Sequence, residues 1–232
     1  MKKLLLIVTC LLLYPLFADD IFYAEIYAVD NPEKIIYTHT NTVIQKGDST
    51  IIDHFYHTPD GKEHAQDRAI LVNNKPIYNL LSFHEIGEYS TFIKNGDKAI
   101  LKFETVDDKK EASKEIPHPL VLTPTQQIAF KENLDNFLKG ETVNFYLFAP
   151  EIVRFIKMRI FPIEHSEYQQ ENCMVLQVKA TNALINLFLG DIFYVVDKDN
   201  GRIMEAHGFS TLRLKVDGEW RSPDMDIYYT YE

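Results

Sequence analysis

Cysteine is nearly absent from this chain, and what there is cannot staple it. Two occur in 232 residues. Cys10 falls in the apolar leader read below, which leaves Cys173 alone and excludes an intramolecular disulfide. The core must then hold by burial, and about 214 residues are enough for one domain, since a chain of this size buries roughly 70% of the surface it exposes when unfolded. Cys173 stands in "ENCMVLQV" beside Met174, Val175 and Leu176, the setting of a buried, inert thiol.

Basic clusters are missing too. Acidic residues number 34 against 24 basic, a formal balance of −10, and loss of Lys2 and Lys3 with a leader takes it to −12. The densest basic run, "DDKKEASK" at 107–114, is interleaved with acids and reads as a solvated loop. A surface of this sign repels phosphate backbones and anionic headgroups, which excludes nucleic acid as a partner and electrostatic adsorption to lipid.

Motifs of chemistry are the third absence. No glycine-rich phosphate loop occurs. "GFSTL" around Ser210 lacks the second glycine of a nucleophile elbow and precedes a strand pattern, not a helix. "DKDNGRIME" begins like a calcium loop at Asp197 and Asp199, but Arg202 occupies the sixth position where glycine is required. In "DHFYH" His54 and His57 are three apart on a strand and point to opposite faces, so a shared metal would need His39 or His64 from neighbouring strands. The reading is a non-enzyme with no cofactor and no metal.

What is present begins with "MKKLLLIVTCLLLYPLFA". Two lysines, an apolar run from Leu4 to Leu13, Pro15 and the small Ala18 make residues 1–18 a secretory signal peptide, cut after Ala18. Its apolar core of ten residues falls short of the roughly 20 of a membrane-spanning helix. Lipidation at Cys10 is disfavoured by Thr9 and by the short run before it. Residues 19–232 then form one domain, periplasmic or secreted, with no membrane-spanning segment in the mature chain.

From 20 to 106, runs rich in Ile, Val, Tyr, Thr and Phe alternate with "DNPEK", "KGD", "TPDGK", "NNKP" and "KNGD". Connections this short leave no room for crossover helices, so the sheet is antiparallel. Residues 107–122, with Pro117 and Pro119, read as a linker or surface loop. A helix follows over 123–139: Thr123 caps it, Pro124 takes its first position, Gln126 completes a capping box and Gly140 ends it. Strands resume at Thr142, and "NALINLFLG" at 182–190 reads as a short apolar helix. The fold class is mainly β (α+β): a curved antiparallel half-barrel of about a dozen strands wrapped on one main helix.

Faces can be assigned by period. The helix places Phe130, Leu134 and Phe137 on one side. On 142–149 Phe145 and Leu147 share a face with Val143 and Ala149, while the other face carries Asn144. On 152–160 Ile156 and Met158 lead to Ile160, and "STLRLKVD" alternates cleanly through Leu212 and Leu214. These nine residues, Phe130, Leu134, Phe137, Phe145, Leu147, Ile156, Met158, Leu212 and Leu214, are the candidate lining of one interior.

The order of the Pro59-Asp60-Gly61 turn, the Leu138-Gly140-Glu141 helix exit, Asp197 with Arg202, and Gly208 with Ser210 resembles a family of uncharacterised secreted proteins of Gram-negative bacteria. That family brings no catalytic residues. Its fold is similar in outline to the periplasmic lipoprotein carriers LolA and LolB, in which a curved sheet encloses an apolar hollow for acyl chains. The resemblance implies a periplasmic protein that binds a lipid or other apolar molecule. The alternative is a structural or interaction module of the envelope, with a solid core and a protein partner.

Overall fold

The computed structural model describes residues 21–165 and 167–231, so the signal peptide expected over 1–18 lies outside the described residues. The first half is an unbroken meander: β1 (Phe22–Ala28), β2 (Asn31–Lys46), β3 (Ser49–His57), β4 (Glu63–Val72), β5 (Lys75–Phe83), β6 (Glu88–Asn95), β7 (Lys98–Glu104) and β8 (Lys109–Glu115). The second comprises β9 (Leu120–Val121), β10 (Val143–Ala149), β11 (Arg154–Ile163), β12 (Cys173–Ala180), β13 (Ile192–Asp197) and β14 (Ile203–Phe209). A small hairpin, β15 (Leu214–Val216) with β16 (Glu219–Arg221), precedes β17 (Asp224–Tyr231). Fifteen of these strands share one sheet, in the order β8 to β1, then β17, β14 to β9. The first and last strands pair at its centre, Phe22 opposite Tyr231.

The sheet is not closed by hydrogen bonds; it rolls up like a scroll. β10 lies between two layers and is apolar on both faces. Phe145 and Leu147 pack with Phe130, Phe137, Met158 and Ile160. Tyr146 and Phe148 pack the other way, with Phe155 of β11, against Phe92 and Leu101. Phe92 and Leu101 lie on the inner face of β6 and β7, so the β9–β11 end is tucked inside the β6–β7 end. Fully burying a side chain of this size is worth about 1.5–3 kcal/mol, and the partly and fully buried residues of this overlap together help an unclosed sheet hold its curl.

Arg213 fastens the seam. Its guanidinium donates to both oxygens of Glu88 at 2.7–3.2 Å, to Glu151 Oε1 at 3.1 Å and to the Ser222 hydroxyl. Glu88 begins β6 and Glu151 sits in the 3-10 turn Pro150–Ile152 between β10 and β11. One side chain thus ties the outer layer of the scroll to the inner one. Tyr37 and His64 also donate to or contact the Arg213 carbonyl at 2.7 and 2.9 Å, and Trp220 stacks on His64, which seats the hairpin over the end of the roll.

Several expectations are corrected. The helix over 123–139 is broken into a 3-10 turn, Thr123–Thr125, then α1 (Gln126–Glu132) and α2 (Leu134–Leu138). Asn133 is the cause. Its Nδ2 donates to Ala129 O at 2.8 Å and its N–H reaches back only to Phe130, so a polar side chain competes with the helix ladder and the turn tightens. The capping box from Thr123 to Gln126 is replaced by Thr125, whose hydroxyl accepts from Leu122 N–H and donates to Leu122 O. Gly140, at φ +79°, ends α2 as expected, with Gly140 N–H on Phe137 O and Glu141 N–H on Asn136 O.

The stretch 107–122 is not a free loop. Lys109–Glu115 pairs along all of β7, and its alternating lysines and glutamates protect an exposed sheet edge. Leu120–Val121 runs parallel to β10, the one parallel pair among the described residues. The short apolar helix exists as α3 (Ala183–Leu189), where Asn182 Oδ1 accepts from Leu184 and Ile185 N–H.

Candidate ligand cavity

The scroll encloses a cavity of about 1440 Å³, larger than the roughly 300–1,000 Å³ of typical small-molecule sites. One wall is apolar. α1 and α2 supply Phe130 and Phe137; β10 and β11 supply Phe145, Leu147, Ile156 and Met158; β12 and β13 add Val178 and Ile192. Of the nine residues expected to share an interior, seven line this cavity, Leu212 being the seventh. Two do not. Leu134 packs into the same apolar cluster behind the lining, because the break at Asn133 rotates α2 away from the register of a continuous helix. Leu214 lies in the β15–β16 hairpin, which is not part of the large sheet, and packs with Tyr37 and Phe83 instead.

The facing wall is polar, and sequence reading missed it. Alternation along β2 to β6 turns His39, His54, Tyr56, Asp67, Asn79 and Ser90 inward. All six are buried. Among the described residues, several polar atoms there have no hydrogen-bond partner: both ring nitrogens of His39, His54 Nδ1 and Ser90 Oγ. Buried polar groups are paired in the great majority of cases, so a cluster of exceptions in one wall marks it out. The parity argument that separates His54 from His57 was available in the sequence; which face curls inward was not.

Burial governs the charges of this wall. It holds His39 well below the ordinary imidazole range, with His54 adding to the effect, and it pushes His54 down to about 4 against a small opposing pull from Asp53. Burial likewise pushes the Asp67 carboxyl up to about 7, partly offset by Asn79, whose Nδ2 donates to Asp67 Oδ1 at 2.7 Å. Tyr194 and Tyr229, from β13 and β17, complete the wall. Burial raises both phenols, Tyr194 to about 12, and the Tyr194 hydroxyl meets Gln126 Oε1 of α1 at 3.3 Å.

The rim differs at its two ends. At one stand the exposed turns of β4–β5 and β6–β7, with Lys75, Lys94, Asp97 and Lys98, and Glu132 of α1. At the other stands α3. Its Ile185 and Leu189 face the apolar core, while Leu184, Leu187 and Phe188 are 65%, 76% and 77% exposed. Phe188 belongs to both surfaces, since it also lines the cavity. A helix apolar at every position but Asn186 yet half in solvent is unusual, and such patches mark places where something binds.

Cys173 is half-buried outside the cavity and burial raises its thiol, so the nucleophilic thiolate is disfavoured.

No family model and no curated protein matches the chain. Among solved structures, it is similar to a β-barrel-like protein of the domain of unknown function DUF1849 from Brucella abortus, with a TM-score of 0.43 and 7% identity over 90% of this chain and 96% of that one. A porin-like protein from Bacteroides uniformis gives a TM-score of 0.23 and 9% identity over 91% and 95%. Scores under 0.5 leave the site to be read from its own residues.

Proposed function

We propose that this chain is a non-catalytic protein of the cell envelope, exported by its leader, that holds an apolar or amphiphilic molecule inside the scroll. The single observation carrying the reading is the cavity of about 1440 Å³ with a continuous apolar wall on α1, α2, β10 and β11. Burying ligand surface against such a wall yields about 25 cal/mol per Å², so an alkyl chain needs few polar contacts to bind. The lipid-binding resemblance read from the sequence points the same way.

Native mass spectrometry of protein taken from its own envelope tests the proposal, together with uptake of the fluorescent apolar probe N-phenyl-1-naphthylamine. Adduct mass and saturable fluorescence are expected. Leu147→Trp, which puts bulk into the hollow, should lower probe uptake several-fold while the fold is retained. A folded wild-type protein that arrives empty and takes up no probe would overturn the reading.

A second reading, an interaction module whose contact surface is α3, is favoured by the exposure of Leu184, Leu187 and Phe188. Crosslinking at Leu187 separates the two. One stable protein partner with no lipid favours the module, whereas lipid recovered with the protein favours the carrier.

A further inference from the structure

Asp67 occupies an unusual position in the polar wall. It lies opposite His54 across the β3–β4 pair, is 2% exposed, and accepts a hydrogen bond from the Asn79 amide. Among the described residues no lysine or arginine pairs with it. The lysines that line the cavity, Lys75, Lys94 and Lys98, are all exposed at the rim. An ionised carboxyl buried with no lysine or arginine beside it is costly, and a cationic ligand would relieve that cost.

Aromatic faces gather round the same point. Tyr56 is the diagonal neighbour of Asp67 across the strand pair, about 7–8 Å away between backbones. Tyr56 and Tyr229 both pack on His39, with ring centroids 4.4 and 6.2 Å from it. Tyr194 lines the cavity beside them, close enough to interact electrostatically with both. Among the described residues, neither the Tyr56 nor the Tyr229 hydroxyl has a hydrogen-bond partner. A carboxyl, electron-rich ring faces and free phenol oxygens converge from β3, β4, β13 and β17.

We infer that the cavity takes an amphiphile whose head is an ammonium group, seated at Asp67 among Tyr56, Tyr194 and Tyr229, with its alkyl body along the apolar wall. A cation gains from ring quadrupoles and from the carboxylate together. A carboxylate or phosphate head would meet the Asp67 carboxyl with only the imidazoles of His39 and His54 beside it, both held neutral by burial, and is disfavoured, and a hydroxyl head would gain hydrogen bonds alone. The acidic surface, at a formal −10, concentrates organic cations near the protein. The inference rests on the ligand-binding reading above and adds the chemistry of the head.

Three probes of equal chain length separate the two levels: decyltrimethylammonium, decanol and decanoate, each displacing N-phenyl-1-naphthylamine below its micelle concentration. The cation should displace the dye at about one-tenth the concentration that decanol needs, a factor within what a buried carboxylate, with the ring faces adding to it, supplies to a desolvated cation, and decanoate should be weakest. Asp67→Asn, nearly the same shape, should bring the cation close to decanol and leave decanol unchanged; Tyr56→Leu should weaken the cation more than decanol. Dye and decanol binding with no advantage for the cation, or a cation preference that survives Asp67→Asn, overturns the ammonium head and leaves the cavity reading standing. Failure of the folded protein to bind dye and decanol at all overturns both.

Discussion

Two residues carry pH dependences of opposite origin. Asp67 has a folded pKa raised from 3.8 to about 7, so the folded chain holds its proton more tightly than the unfolded one, and this stabilisation is lost as pH rises through about 7. Asp67→Asn cannot lose it. The variant should therefore gain on wild type by on the order of 2–4 kcal/mol between pH 5 and pH 8 in chemical denaturation. The depressed His39 and His54 are common to both proteins and cancel in the difference. A gap that stays flat with pH would mean that the carboxyl is hydrated in the fold.

His207 sits on the opposite face of the sheet. Its Nδ1 meets Asp226 at 2.7 Å and its Nε2 meets Glu205 at 2.9 Å, with Tyr168 stacked 4.0 Å above. Burial lowers its pKa, but the two carboxylate hydrogen bonds outweigh burial and the net shift is upward. With a carboxylate on each nitrogen the ring is an imidazolium with two donors. Its stabilisation is complete below the ordinary value of 6.5 and is lost as pH rises through the raised folded value. The melting temperature of His207→Gln should accordingly lie furthest below wild type near pH 6 and approach it by pH 9. A gap that widens with pH would show that the ring is neutral.

At the scale of elements, most of the strands were legible and their mutual arrangement was not. Period-two runs and the turns at Gly61, Gly96 and Gly201 are local signals, and each glycine does take a positive φ. β8 was lost because a charged edge strand has the composition of a loop. The polar wall was lost because His39, Asp67 and Ser90, at inward positions, look in sequence like residues facing water; alternation defines two faces without saying which one curls inside. Asn133 was visible in mid-helix, yet only its bond to Ala129 O shows that it breaks the ladder. That break decides between two substitutions. Leu134→Trp overpacks the cluster behind the cavity and should cost about 1–3 kcal/mol while probe uptake is unchanged. Ile156→Trp, on the lining, should lower uptake instead. Equal effects on uptake from both would place Leu134 on the cavity after all.

The whole molecule poses a problem that a closed barrel does not. A barrel is held round its full circumference by backbone hydrogen bonds; here, among the described residues, none joins the β9–β11 end to the β6–β8 end, and the overlap depends on side chains and on the short connection 116–119 that runs from β8 to β9. Tyr146, Phe148 and Phe155 supply the apolar part, and Arg213 supplies the directed part through Glu88 and Glu151. The Arg213 and Glu88 side chains are 14% and 13% exposed, so removing the cation strands a nearly buried carboxylate, which in comparable pairs costs about 3–5 kcal/mol. The loss should not spread evenly. β1, β2, β14 and β17 sit at the middle of the sheet, paired on both sides, where amides are expected to open with global unfolding. The scroll ends can swing out while the centre stays folded. In Arg213→Ala, hydrogen exchange should rise first and most in β6 to β8 and in β9 to β11, with the β1–β17 pair protected to nearly its wild-type level relative to global stability. Arg213→Lys should recover only part of the protection, because an ammonium cannot engage both oxygens of Glu88 and reach Glu151 in the fixed geometry of the guanidinium. Uniform acceleration across all fifteen strands would mean that the seam and the centre unfold as one unit, and that the scroll behaves as a barrel despite its open edges.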